Sequence, residues 1–180
     1  MSAVGSDQRQ RFEELIVPNM AFLARVSRSM SRSNAEAEDL AQDTLVKAFR
    51  AMDSFDGRYP KAWLARIARN TAINRDRRMR EFLLPEEGVV EPEPDDADAY
   101  DPEQLVLGAE IDEILKRALD DLPPAFRLVV QLVDIEDMSY QEAAEALDIP
   151  VGTVMSRLHR ARSRLRRAIA GTHLDRGGRT

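Results

Sequence analysis

Residues 139–169 read SYQEAAEALDIPVGTVMSRLHRARSRLRRAI, a short helix, a tight turn and a long basic helix. Ser139 followed three residues later by Glu142 is a capping box that opens the short helix. Asp148-Ile149-Pro150 supplies the turn, with Asp148 where glycine is common; aspartate tolerates the left-handed backbone better than most residues. Ala144 is small where two helices must approach closely, and Leu147, Ile149, Val154 and Leu158 fill the angle between them. On the second helix Val154, Leu158, Ala161 and Leu165 recur at intervals of 4, 3 and 4, a core stripe. The opposite face carries Ser156, Arg160 and Arg167, with His159 beside them and Thr153 at the amino end. Short polar side chains followed by arginines suit a major-groove reader, the small groups and a bidentate Arg for base edges and the other arginines for phosphates. A merely solvated basic helix end is the competing reading. The capping box, the turn and the acid-free face all favour helix-turn-helix over it.

Upstream, Phe12, Leu15, Ile16, Phe22, Leu23, Val26 and Met30 predict one helix, or two split near Pro18. Asn34 is a candidate cap for a helix reaching about Met52, with Leu40, Thr44, Ala48 and Met52 on its buried side. Gly57 breaks the chain, and Pro60 opens a helix carrying Trp63, Leu64, Ile67 and Ala68. Arg66, Asn70, Asn74 and Arg77 fall within an arc of about 80° on that helix, a basic, amide-rich face. The loop before it brings Phe55 and Tyr59, which with Trp63 read equally as core residues or as platforms for unpaired bases. Asp39, Gln42 and Asp43 form an acidic ridge beside Leu45 and Phe49, either a solvated face or a docking surface for a basic partner. Near Pro102 a helix with Leu105, Ile111, Ile114, Leu115, Ala118 and Leu122 begins, and Pro123-Pro124 ends it. Another follows from about Ala125 to Glu136. No segment keeps a strand period, so the fold is read as all-α.

The 180 residues carry a net charge of −6, unevenly spread. Residues 58–80 hold 8 basic side chains against Asp76 alone, and 151–170 hold six arginines and no acid. Nine acids and four prolines lie between Pro85 and Gln104, which reads as a linker. The expected organisation is therefore a flexible N-terminus (1–10), a helical domain (11–84), an acidic linker (85–104), a helix-turn-helix domain (105–170) and a flexible tail (171–180). Zero cysteine excludes disulfides and thiol chemistry within the chain, and two histidines are too few for a His-rich metal site. No apolar run of about 18 residues occurs and no secretory leader is visible, so membrane insertion is not expected and a cytoplasmic location is. Neither a paired-carboxylate pocket nor a phosphate-binding glycine loop nor a nucleophile-base pair is visible, which argues against an enzyme and against a cofactor.

With both basic helices and the ridge in hand, the chain resembles the two-domain extracytoplasmic-function (ECF) sigma factors of bacterial RNA polymerase. The resemblance rests on AEAEDLAQDTLVKAFRAMDSF (35–55), KAWLARIARNTAIN (61–74) and LPPAFRLVVQLVDIEDMSYQEAAEALDIPVGTVMSRLHRARSRLR (122–166), and covers about Phe12 to Ile169. It implies that Asp39, Leu40, Gln42, Asp43, Leu45 and Phe49 bind core polymerase through its largest subunit. It implies that Phe55, Arg58, Trp63, Arg66, Asn70, Ile73, Asn74, Arg77 and Arg78 read and melt the minus-ten element. It assigns the minus-thirty-five element to Thr153, Ser156, Arg157, His159, Arg160, Arg164 and Arg167, while Met155 stands where some members place a DNA-contacting arginine. Partners implied are core RNA polymerase (largest and second-largest subunits), promoter DNA in double- and single-stranded form, and an anti-sigma factor. The linker would thread toward the active cleft, as an RNA mimic or simply as a tether. In the free chain it would lie over a basic patch. A DNA-binding regulator independent of polymerase and a helical protein-binding adaptor are the competing functions. The first predicts tight duplex binding by the free chain, the second no salt-dependent DNA affinity.

Overall fold

The computed structural model describes residues 3–76, 79, 83 and 109–176. Among these every regular element is helical. The first unit comprises α1 (Ala3–Leu15), a 3₁₀ turn (Val17–Asn19), α2 (Met20–Ser29), α3 (Asn34–Ala51), a second 3₁₀ turn (Met52–Ser54) and α4 (Pro60–Arg75). The second comprises α5 (Ala109–Asp120), α6 (Pro124–Val130) running into a π-turn (Gln131–Ile135), α7 (Tyr140–Leu147) and α8 (Val151–Arg176).

Local chemistry accounts for most of the boundaries. Pro18 has no N–H to continue α1, and the chain passes through a 3₁₀ turn there. Pro60 stands at the first position of α4. The cap of α3 is Ser33 rather than Asn34. Ser33 is extended (φ −135, ψ 163) and its side chain accepts the Glu36 N–H, whereas Asn34 is already helical. Helix also occupies Ala3 onward and residues 171–176, parts of the segments expected to be flexible. Once a turn is nucleated, each further residue adds a backbone hydrogen bond, so a helix can outrun its apolar stripe. The acidic linker 85–104 and the start of the helix near Pro102 lie outside the described residues.

Ile16, Phe22, Leu23, Val26, Met30, Leu40, Met52 and Leu64 are buried in the first unit, and Leu122, Leu128, Leu132, Leu147, Val154 and Leu158 in the second; they belong to one contiguous apolar cluster. The cluster is continuous because the units abut. α4 packs on α7, and α2 packs on α6 and the π-turn. Ala62, Ala65, Ala68 and Ala72 of α4 and Ala143, Ala144 and Ala146 of α7 are all buried, and small side chains let helix axes approach. Among the described residues no helix is long and apolar enough to cross a membrane.

Candidate nucleic-acid interface

The helix-turn-helix is built from its cap outward. Ser139 Oγ accepts the Glu142 N–H at 3.2 Å, and the Glu142 carboxylate accepts the Ser139 N–H at 2.9 Å and its hydroxyl at 2.7 Å. Those donated hydrogen bonds hold the Glu142 carboxyl below its ordinary value. Asp148 ends α7 in the left-handed conformation (φ 51, ψ 49), its N–H bonded to the Ala144 carbonyl. The Pro150 carbonyl then takes the Thr153 and Val154 N–H groups at 2.9 and 3.2 Å and starts α8. Val154, Leu158 and Ala161 are buried, and Leu165 is half-buried. Met155, Ser156, His159 and Arg167 are exposed on the far side; Thr153, Arg157, Arg160 and Arg164 are half-buried. Two of those arginines are held elsewhere. The Arg164 guanidinium lies 4.8 Å from the Phe126 ring centroid, and Arg157 Nη1 donates to the Leu83 carbonyl at 3.4 Å.

On α4 Arg66, Asn70 and Asn74 are exposed in a row, as is Arg58 in the loop before it. Gly57 (φ 84) turns that loop, and the Asp56 carboxylate accepts the Arg58 N–H at 2.8 Å. Phe55 does not stand open to a base. It is 5% exposed and stacks on Trp63 with centroids 4.2 Å apart and planes 15° from parallel. Its role is to brace the Trp63 ring, while Tyr59, 54% exposed, is the loop's available aromatic face. Ile73 is half-buried against the core. Arg77 and Arg78 lie outside the described residues.

The acidic ridge on α3 exposes Asp39, Gln42 and Asp43, while Leu40 is buried and serves the core rather than a partner. Leu45 also packs on the core. Phe49 is partly exposed and meets Phe12 edge-on at 5.3 Å, and Val46, which periodicity did not single out, is 49% exposed beside it. Arg75 of α4 is ion-paired with Asp43 and donates to the Asp39 carbonyl at 3.0 Å, which sets the ridge against α4.

The sigma-70 region 2 model matches residues 15–81 and the sigma-70 region 4 model residues 112–165. The ECF RNA polymerase sigma factor SigW of Bacillus subtilis is 37% identical, over 74% of this chain and 75% of its own length. The chain belongs to the ECF RNA polymerase sigma factors. SigE of Mycolicibacterium smegmatis is 35% identical over 88% of this chain, a match spanning 62% of that longer protein. Among solved structures, sigma factor RpoE of Bartonella quintana, in complex with the anti-sigma factor NepR, superposes with a TM-score of 0.65 at 31% identity, covering 88% of this chain and 96% of that one. CnrH, in complex with the cytosolic domain of CnrY, superposes at 0.62 with 28% identity, covering 93% and 92%. Sigma factors initiate transcription, with region 2 and region 4 recognising the minus-ten and minus-thirty-five elements, and the family has no catalytic activity.

In this sigma factor α4 of region 2 faces α7 and the following turn of region 4. A groove of ≈ 670 Å³ is lined by Arg66 and Asn70 of region 2 and by Gln141, Glu145, Asp148 and Pro150 of region 4. Arg66 Nε donates to the Glu145 carbonyl at 3.1 Å across it. Arg69, beside Asn70, is 4% exposed and donates to the Asn70 side chain at 3.1 Å. Burial lowers the pKa of Arg69, with the Asp148 charge opposing; burial likewise lowers that of Arg157, and the Arg69 charge adds to it. Sequence reasoning missed Arg69. Its spacing from Ala62, Ala65 and Ala72 puts it on a second buried stripe, visible only as an alanine run.

Proposed function

We propose that this chain programs bacterial core RNA polymerase for initiation at its own class of promoters, acting in the cytoplasm. The observation carrying the reading is the pairing, in one chain, of an exposed Arg66-Asn70-Asn74 face on α4 with a capped helix-turn-helix whose α8 exposes Ser156 and His159. Asp39, Gln42, Asp43, Val46 and Phe49 form an acid-rimmed apolar surface suited to a basic helical segment of the polymerase's largest subunit. Arg66, Asn70 and Asn74 then take up base edges and phosphates of the melted minus-ten strand, with Trp63, braced by Phe55, and Tyr59 offering ring faces to unpaired bases. Thr153, Ser156, His159 and Arg160 enter the major groove of the minus-thirty-five element and Arg167 reaches its phosphates, and Arg157 and Arg164 join them once released from the Leu83 carbonyl and the Phe126 ring. The two modules need not bind tightly alone, because core polymerase holds them at promoter spacing and raises the effective concentration of the second contact. Bond formation stays with the polymerase. By analogy with RpoE, solved with the anti-sigma factor NepR, an anti-sigma factor also binds this chain.

Run-off transcription from a fragmented genomic library, with core polymerase and with or without this protein, tests the reading. Discrete starts that appear only with the protein and share two spaced upstream elements are expected. No starts, with duplex DNA retarded by the protein alone, would replace the proposal with a stand-alone regulator.

A further inference from the structure

Glu136 closes the π-turn of region 4, and its side chain is 2% exposed. The turn aims it. The Glu136 N–H reaches back five residues to the Gln131 carbonyl at 3.1 Å, Asp137 takes φ 55, and the Met138 N–H returns to the Leu132 carbonyl at 3.0 Å. A wide turn of this kind re-aims one side chain out of an otherwise regular helix. Here the carboxylate crosses into region 2. Oε1 accepts Arg25 Nε at 2.6 Å and Gln131 Nε2 at 2.9 Å; Oε2 accepts Arg25 Nη2 at 2.8 Å and has Lys61 Nζ at 3.8 Å. Arg25 belongs to α2 and Lys61 to α4, so one buried carboxylate ties two helices of region 2 to region 4.

We infer that the Arg25–Glu136–Lys61 cluster is a latch that holds regions 2 and 4 together in the free sigma factor and so keeps single-stranded DNA off α4. Its consequence for DNA rests on the proposed reading of α4. A forked guanidinium-carboxylate pair is among the stronger polar contacts, and breaking it from one side strands a buried charge. It is also releasable. The Arg25 and Lys61 side chains are 51% and 43% exposed, so on separation both cations pass into water already at hand, and Glu136 keeps Gln131. Closure sets Glu145 and Asp148 opposite Arg66 and Asn70. A strand laid on those two residues would meet α7 and bring its phosphates toward two carboxylates. None of Arg25, Lys61 and Glu136 belongs to the surfaces assigned above to DNA or polymerase.

The chain has no native cysteine, so Glu13→Cys and Arg166→Cys, on exposed positions of α1 and α8, give a specific spin-label pair in the full-length protein. Double electron-electron resonance should show one narrow distance population in this background. Arg25→Glu and Glu136→Arg should each move it to longer, broader distances, and the exchanged double variant should restore it. Arg25→Ala, which strands the Glu136 carboxylate only while the regions stay closed and leaves it to water once they part, should open the molecule while keeping a cooperative thermal unfolding transition. A fluorescein-labelled mixed-sequence single-stranded oligonucleotide should bind the open variants about tenfold more tightly than the parent, since apparent affinity scales with the competent fraction. The double variant, with the parent's net charge, should return to the parental value. Unchanged distances in the single variants would overturn the latch, as would opening that the exchange fails to reverse. These distances are read without polymerase, so a failure in run-off transcription leaves them standing, and unchanged distances leave promoter-specific transcription standing.

Discussion

Asp148 ends α7 at φ 51 and ψ 49, a conformation that costs most L-residues roughly 1–2 kcal/mol and aspartate less. Asp148→Val should therefore destabilise the chain by about 1–2 kcal/mol in urea unfolding, with Asp148→Gly close to neutral. Its place in the turn was legible, because aspartate two residues before proline, after an apolar helix, has few other uses. Phe55 was less legible. An aromatic in a loop reads the same way whether it faces solvent or folds back on a ring eight residues on, and only the 4.2 Å stack on Trp63 decides between them. Asn70, exposed on α4, is expected to act on the melted strand rather than on polymerase. Asn70→Ala should lower permanganate reactivity of the opened promoter by about tenfold, the worth of one or two hydrogen bonds, with core polymerase affinity unchanged. Equal loss of both would remove Asn70 from the DNA-reading set.

The capping box shows how far local rules carry at the scale of one element. Ser139→Ala should cost about 1 kcal/mol, read as a lowered urea midpoint at constant slope. The Ser139 hydrogen bonds depress the Glu142 carboxyl in the folded chain. The stability it contributes is therefore present above the unfolded carboxylate value and is lost as pH falls through the lower, folded one. Glu142→Gln should remove that part of the acid dependence of unfolding. The helix α4 marks where local rules stop. Its Arg66-Asn70-Asn74 row follows from 3.6-residue geometry, but the helix also packs on α7, and that second buried stripe consists of alanines and Arg69, which leave little hydrophobic contrast to detect. The cap of α3 moved by one residue for a similar reason. Ser33 and Asn34 are both good caps, and the backbone angles choose between them.

At the scale of the whole molecule the Glu136 cluster ties acidity to shape. The carboxyl is held below its ordinary value first by the Arg25 hydrogen bonds, with the Gln131 hydrogen bond and the Lys61 charge adding to them, against the burial that raises it. The groups facing it are thus Arg25 of α2, Lys61 of α4 and Gln131 of its own turn. Because the closed-state value is depressed, the latch is at full strength above the ordinary carboxylate value and weakens as pH falls through the depressed one. Spin-label distances should stay short through the usual carboxylate range and lengthen only below it. In Glu136→Gln that acid-dependent change should be absent.

The sequence by itself determined the all-helical class, the order of the two regions, the helix-turn-helix and the basic face of α4. Each depends on neighbours within a turn or two along the chain, through caps, proline, left-handed aspartate and a 3.6-residue stripe. Only the tertiary structure decided that Phe55 stacks on Trp63, that Leu40 belongs to the core, and that the exposed face of α4 lies across a groove from α7. The acidic linker lies outside the described residues; among the described ones, regions 2 and 4 touch directly. Arg25 and Glu136 stand 111 residues apart, and at that separation no periodicity connects them. Their meeting depends on how α2, α4 and the π-turn pack, and that is a property of the assembled core.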